Sequence, residues 1–169
     1  MESNCRNVFM ENTMKKYCYY EAPFGPLMLV GGNAKLEELR FPNQDQSVPA
    51  GSDWQEDKQE FKTVIQQLDE YFQGNRTTFD LELAPKGTPF QKSVWKELSN
   101  IPFGETINYG ELAVRVGNPK ASRAVGAANG KNPIPIIVPC HRVIGKNGTL
   151  TGFGGGLDVK KQLLELENK

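Results

Sequence analysis

The chain has 169 residues, 38% hydrophobic and 24% charged, with twenty Lys/Arg balanced by twenty Asp/Glu. That size can bury a core without covalent staples, as one large domain or two small ones. Met1 to Tyr20 hold no apolar run long enough for a signal peptide, and no later stretch approaches a membrane span, so neither secretion nor membrane association is expected. Residues 1–13 are polar and read as a loosely held tail. From Lys16 to Val30 the chain is rich in Tyr, Leu and Val and is broken by Pro23, Gly25 and Pro26, which predicts two short strands and a turn. Gly31-Gly32-Asn33 is a second turn, Leu36 to Phe41 a third strand, and Gln44 to Ser52 a loop.

From about Trp54 the spacing becomes helical, with Phe61, Val64, Ile65, Leu68, Tyr71 and Phe72 on one stripe and Gly74 as its stop. Thr77 to Leu83 alternates apolar and polar, which predicts a strand returning to the same antiparallel sheet. Residues 1–85 therefore read as an α+β supporting domain, and Ala84-Pro85-Lys86-Gly87 as the linker to a second domain at 86–169.

Thr88-Pro89-Phe90-Gln91 opens the next helix as a capping box with proline in the first turn. Asn108 caps a helix from Tyr109 to Val116, which Gly117 ends, and Asn118 caps another running from Pro119 to about Asn129. Two short helices around a Gly-Asn turn are a helix-turn-helix signal. The second carries Lys120 and Arg123 beside the small residues Ala121, Ser122, Ala124, Gly126, Ala127 and Ala128. Small side chains suit close approach to DNA and close packing on a neighbouring helix equally well.

Charge is unevenly spread: residues 1–85 carry eight Lys/Arg against fourteen Asp/Glu, and residues 86–169 carry twelve against six. No acidic residue falls between Glu111 and Asp158, where Arg115, Lys120, Arg123, Lys131, Arg142 and Lys146 lie. This pattern fits a surface for a polyanion, and also a basic half that complements an acidic one. A last amphipathic helix begins at Gly156 or Leu157 and carries Val159, Leu163, Leu164 and Leu166.

The chemistry concentrates in a Gly/Pro-rich segment at 130–156, around Pro139-Cys140-His141-Arg142-Val143. His141 is the only histidine of the chain. A thiol beside an imidazole and a cation is a candidate nucleophile, since such neighbours lower a thiol pKa. A lone cysteine in an apolar run is also a common core residue. Adjacent side chains on a helical turn diverge by about 100°, so direct thiol–imidazole contact is not assured and a water is the alternative proton relay. Cys5, Cys18 and Cys140 show no CxxC spacing, so neither a disulfide framework nor a cysteine zinc site is expected, and a reducing, cytoplasmic setting fits.

These residues resemble the active-site motif of the O6-alkylguanine-DNA alkyltransferases (methylated-DNA–protein-cysteine methyltransferases). The likeness extends closely over 86–169, through Phe103-Gly104-Glu105-Thr106, Tyr109-Gly110-Glu111-Leu112-Ala113, Gly117-Asn118-Pro119-Lys120-Ala121, Arg123-Ala124-Val125-Gly126 and Asn132-Pro133. Over the first half it is loose, carried by the strand–helix outline and Gly25-Pro26-Leu27. The fold it implies is α+β: a small N-terminal antiparallel sheet with a helix, then a mostly helical, winged-helix-like domain.

The resemblance implies a single-turnover DNA repair reaction without a cofactor. An alkylated guanine is flipped from duplex DNA, and Cys140 takes its alkyl group irreversibly. His141 would be the base through a water, oriented by Glu167, with Asn132 bracing the loop. Tyr109 would donate to the purine and help displace the 3′ phosphate, and Arg123 would fill the gap left by the base. Lys120, Ala121 and Ser122 would accompany Arg123 on DNA. The pocket would be formed by Pro135, Val143, Phe153 and Gly154, with the carbonyls of Cys140 and Val143 reading the exocyclic amine and the Gly154 N–H binding the alkylated oxygen. Gly154 stands where some members carry a hydroxyl, which implies a roomier pocket. O4-alkylthymine is left open as a second substrate. The zinc site of certain relatives has no support here, because Cys5 and Cys18 alone cannot form it. The expected partner is duplex DNA, bound by a monomer. The rival readings are a DNA-binding regulator with a core or sensor cysteine, and a cysteine hydrolase of small molecules.

Overall fold

The computed structural model describes residues 14–43 and 46–169. The expected polar tail at 1–13, Cys5, and positions 44–45 of the expected loop lie outside the described residues. Strand β1 (Lys16–Ala22) pairs antiparallel with β2 (Gly25–Gly32), and β2 pairs antiparallel with β3 (Lys35–Arg40). The β1–β2 turn leaves Gly25 at φ +119°, a conformation open to glycine and costly to other residues. Leu27, Leu29, Leu36 and Leu39 bury themselves beneath the sheet against α1 (Lys62–Phe72), whose stripe of Phe61, Val64, Leu68 and Tyr71 is also buried.

Two expectations for this half are corrected. The helix starts at Lys62, later than the apolar stripe suggested. Before it, Gln55–Glu56 form a short strand β4 parallel to β1, and Lys58–Phe61 form a 3₁₀ turn capped by Asp57. Residues 77–83 form no strand, and the fourth place in the sheet belongs to β4. Only an isolated bridge joins Leu36 to Leu83. The Gln67 side-chain amide takes the place of a strand partner: it donates to the Asp80 carbonyl and accepts from the Asp80 N–H, both at 2.9 Å. The backbone groups that would form a ladder are satisfied by a side chain instead.

In the second half α2 (Pro89–Leu98) begins with the expected capping box, and α3 (Tyr109–Arg115) has a second one between Asn108 and Glu111. We expect Thr88→Ala to cost about 1 kcal/mol, read as a lowered midpoint in urea unfolding. Helix α4 (Ser122–Gly130) is shorter than expected. Asn118 does not cap it; its carbonyl accepts the Ala121 N–H in the turn that precedes the helix. Two-residue strands β5 (Ile107–Asn108) and β6 (Val143–Ile144) pair in parallel, and α5 (Leu157–Glu167) closes the chain. The small residues of α4 divide between a buried and an exposed face. Ala128 is buried and its carbonyl accepts the Trp95 indole N–H at 2.9 Å, while Ala124 and Ala127 are exposed beside Arg123.

Candidate active site

The approach to Cys140 is built by a braced loop. Asn132 donates through Nδ2 to the Val138 carbonyl at 2.8 Å and accepts the Ile134 N–H at 3.0 Å. Inside this brace Ile136 is fully buried at φ +73°, an outlier for a β-branched residue that the surrounding packing must hold. Pro139, at φ −80° and ψ 65°, makes an inverse γ-turn in which the Cys140 N–H donates to the Val138 carbonyl at 2.8 Å. Cys140 then opens a 3₁₀ turn over Cys140–Arg142.

On that turn the three side chains diverge, as the spacing required. Cys140 faces a cavity of about 380 Å³, lined also by Asn132, Pro135, Phe153 and Gly154, and on its far wall by Leu39, Phe41 and Asn43 of the N-terminal half. His141 turns away from the cavity, and its Nε2 lies 2.7 Å from Glu167 Oε1. Arg142 donates to Glu167 from Nε (2.9 Å to Oε2) and NH2 (2.8 Å to Oε1), and from NH1 to the Ile101 carbonyl at 2.6 Å. The Tyr71 hydroxyl donates to Glu167 Oε1 at 2.8 Å. Burial pushes the Glu167 carboxyl up, but the bonds from His141 and Arg142 outweigh it and hold the group at about 2. With Glu167 an anion, His141 carries its proton on Nε2. Its Nδ1 is buried and has no partner among the described residues, so it is free to accept a proton.

Burial pushes the Cys140 thiol up to about 11, against the Asn132 side chain, the Lys160 charge and the backbone N–H groups of Cys140 and His141, which favour the thiolate. The expectation that the Arg142 charge and the His141 imidazole lower this thiol is corrected: neither acts on the sulfur, which His141 reaches only through its backbone N–H. Arg142 is spent on Glu167 and Ile101, and desolvation wins at the sulfur. The resting thiol keeps its proton at neutral pH. The cation felt by the sulfur is Lys160, fully buried on α5, whose Nζ donates to the carbonyls of Val143 (2.7 Å) and Thr151 (2.8 Å).

The other expected residues divide. Tyr109, at the start of α3, shares a hydrogen bond with Thr151 at 3.1 Å and does not line the cavity. Val143 is fully buried and does not line it either, and its carbonyl already accepts from Lys160. A Cβ added at Gly154 would meet nothing within 4 Å, so the position has room. Lys120 and Arg123 are exposed, as are Arg115, Lys131 and Lys146, while Ala121 and Ser122 are half-buried. Arg142, counted with the basic surface from sequence, is buried and outside it.

Three contributors were not anticipated. Lys160, Leu163 and Glu167 repeat at a spacing of three and four, so helical periodicity places Lys160 on the buried face of α5. Tyr71 was visible only as a member of an apolar stripe. The Leu39–Asn43 wall has no local signal, because it depends on how the two halves pack. Among the described residues no cluster of His, Cys, Asp and Glu suits a metal ion, and no helix is long and apolar enough to cross a membrane.

Residues 89–169 match the family model described as 6-O-methylguanine DNA methyltransferase, DNA binding domain, and residues 15–85 the model described as 6-O-methylguanine DNA methyltransferase, ribonuclease-like domain. A methylated-DNA–protein-cysteine methyltransferase of Methanosarcina acetivorans is 52% identical over 151 residues, covering 89% of this chain and 97% of that protein. One of Mycobacterium tuberculosis is 51% identical over 154 residues, covering 91% and 93%. The crystal structure of Mycobacterium tuberculosis OGT in complex with DNA superposes with a TM-score of 0.83 at 50% identity, covering 90% of this chain and 92% of that one.

Proposed function

The chain belongs to the 6-O-methylguanine DNA methyltransferase family, and from that premise we propose that it repairs O6-alkylguanine in duplex DNA by moving the alkyl group to its own Cys140. The observation that carries this reading is the junction at Cys140. A buried thiol lines a cavity of about 380 Å³, one residue from a histidine whose Nδ1 is unpartnered and whose Nε2 is anchored on a carboxylate.

Stacked in a duplex, the O6 substituent cannot reach a thiol buried in a cavity, so the base is flipped out. Exposed Arg123 on α4 fills the space it leaves, where a guanidinium can stack and donate. Lys120, Ala121 and Ser122 approach the backbone with it. Lesion repair has no need to read sequence, so contacts to phosphates and through small residues suffice. The family's docking in the minor groove suits this.

In the transfer, Cys140 Sγ forms a bond to the alkyl carbon as the bond from that carbon to guanine O6 breaks. The thiol proton passes through a water to His141 Nδ1, and the imidazolium is stabilised by Glu167. The guanine leaves as an anion, its charge met by the Gly154 N–H and by the Tyr109 hydroxyl once that has left Thr151; it takes up a proton at N1 from water, and the imidazolium returns the thiol proton to water. Such donors help most where charge develops. The product is unmodified guanine and a thioether. The single histidine is committed to Glu167, and among the described residues no second nucleophile lines the cavity to cleave a thioether, so each molecule acts once. Duplex DNA bearing the lesion is the partner, and the protein acts as a monomer in two domains, 1–85 supporting and 86–169 binding DNA and accepting the alkyl group.

The direct test is intact-protein and peptide mass spectrometry after mixing with a duplex containing O6-methylguanine. One methyl group per molecule on the Cys140 peptide is expected. An unmodified Cys140 in a protein that binds the duplex tightly would overturn the reading. Arg123→Ala is expected to slow repair of the duplex by about tenfold or more, an effect of at least ~1.4 kcal/mol, while leaving reaction with free O6-benzylguanine nearly unchanged. Equal losses on both substrates would remove Arg123 from the DNA step.

A further inference from the structure

We infer that Tyr71, carried by α1 of the N-terminal half, is a positioning residue for alkyl transfer: its hydroxyl binds the Glu167 oxygen that also holds His141, and so limits how strongly Glu167 draws protons onto the imidazole. The inference rests on reading Cys140 as the alkyl acceptor and His141 as its base.

The geometry is specific. Glu167 Oε1 is shared by three donors: Tyr71 at 2.8 Å, His141 at 2.7 Å and Arg142 NH2 at 2.8 Å. Tyr71 and Glu167 are 96 residues apart in the chain and meet only because α1 lies against the end of α5. The phenol ring has three aromatic neighbours, with centroids 5.2 Å from Phe72, 5.4 Å from Phe79 and 6.2 Å from Phe103, so that losing one leaves two to hold the ring. Burial, and then the neighbouring carboxylate, push the phenol far above its ordinary range. Tyr71 is therefore a neutral donor at every working pH.

A donor on Oε1 draws charge from the carboxylate. The groups facing His141 are Glu167 and Lys160 on α5, Arg142 and Cys140 on its own turn, and Tyr71 behind Glu167 on α1. Burial above all, with Arg142 and Lys160, opposes protonation of the imidazole, and Glu167 favours it. Removing the Tyr71 hydroxyl leaves Glu167 with a stronger pull. His141 then protonates at higher pH, and a protonated Nδ1 cannot accept the thiol proton. The N-terminal half thus adds to the burial that keeps the base neutral, as well as supporting the fold.

Since His141 is the only histidine, its ring nitrogens can be followed in the ¹⁵N-labelled full chain without ambiguity. In the parent, Nε2 carries the proton and Nδ1 is bare at neutral pH. In Tyr71→Phe, which keeps the ring, we expect the protonation midpoint to rise by about half a pH unit or more. The acid limb of benzyl transfer from free O6-benzylguanine to Cys140 should rise with it. Phe79→Leu loosens the same packing without touching the hydroxyl; it should lower Tm and leave both midpoints in place. Superimposable histidine titrations in parent and Tyr71→Phe would overturn the inference, as would an equal shift in Phe79→Leu. A histidine shift in a parent that never accepts benzyl sinks the transfer reading, and the positioning role with it.

Discussion

Cys140→Ser is expected to abolish alkyl transfer while leaving the fold and DNA binding in place. The two side chains are close in size, and Cys140 is only 4% exposed at the head of a backbone turn held by Asn132 and Pro139. The change therefore acts on chemistry. A thiol can be deprotonated by an imidazole through a water and is strongly nucleophilic as the thiolate, whereas a hydroxyl needs a stronger base than one histidine provides. The rate of methyl transfer should fall by more than about 10³-fold, equivalent to ~4 kcal/mol on the barrier. Quench-flow with an O6-methylguanine duplex and intact-mass detection reads this directly. A serine variant that still accumulates one methyl group would place the acceptor elsewhere.

The second large effect concerns Glu167. Its carboxylate accepts four hydrogen bonds, from Tyr71, His141 and twice from Arg142, in a region where Arg142 is itself buried. Breaking a buried ion pair by neutralising one partner typically costs about 3–5 kcal/mol, because the other charge stays desolvated and unpaired. Glu167→Gln should therefore lose a substantial part of a stability that in domains of this kind is of order 5–15 kcal/mol. It should also lose most alkyl transfer, since His141 no longer has an anion to stabilise its imidazolium.

The pH dependence carries a sign that checks the cause. The folded carboxyl titrates near 2, against 4.5 for an unperturbed glutamate. The unfolded chain thus binds the proton first on acidification. The stabilisation is fully present above about pH 4.5 and is lost as pH falls towards 2. Urea unfolding at pH 6, 4 and 3 should show the parent weakening through this window, and Glu167→Gln weakening less. Parallel declines would assign the acid sensitivity to other carboxylates.

Where a signal was local, the sequence was sufficient. Thr88 with Gln91 forms the expected capping box and Asn108 caps its helix as expected, because every group involved lies within four residues. The divergence of Cys140 and His141 followed from helical rotation alone. The family motif also named Glu167 as a partner of His141, and the two lie 2.7 Å apart. Local reading failed where a distant group competed for the same backbone. Residues 77–83 have a strand's alternation, yet Gln67 satisfies Asp80 and β4 takes the fourth place in the sheet. It failed again at Arg142, which sits beside the thiol in sequence but spends its charge on Glu167.

By itself the sequence determined the α+β outline, the helix starts with strong caps and the family, and it singled out Cys140 as the candidate thiol, since these depend on side-chain type, short spacing and motif. Only the tertiary structure decided that burial keeps that thiol protonated, that buried Lys160 is the cation it feels, that Leu39–Asn43 wall the cavity, and that Tyr71 reaches Glu167 across 96 residues. Desolvation and hydrogen-bond sharing are properties of which surfaces meet in space, and no spacing along the chain encodes them.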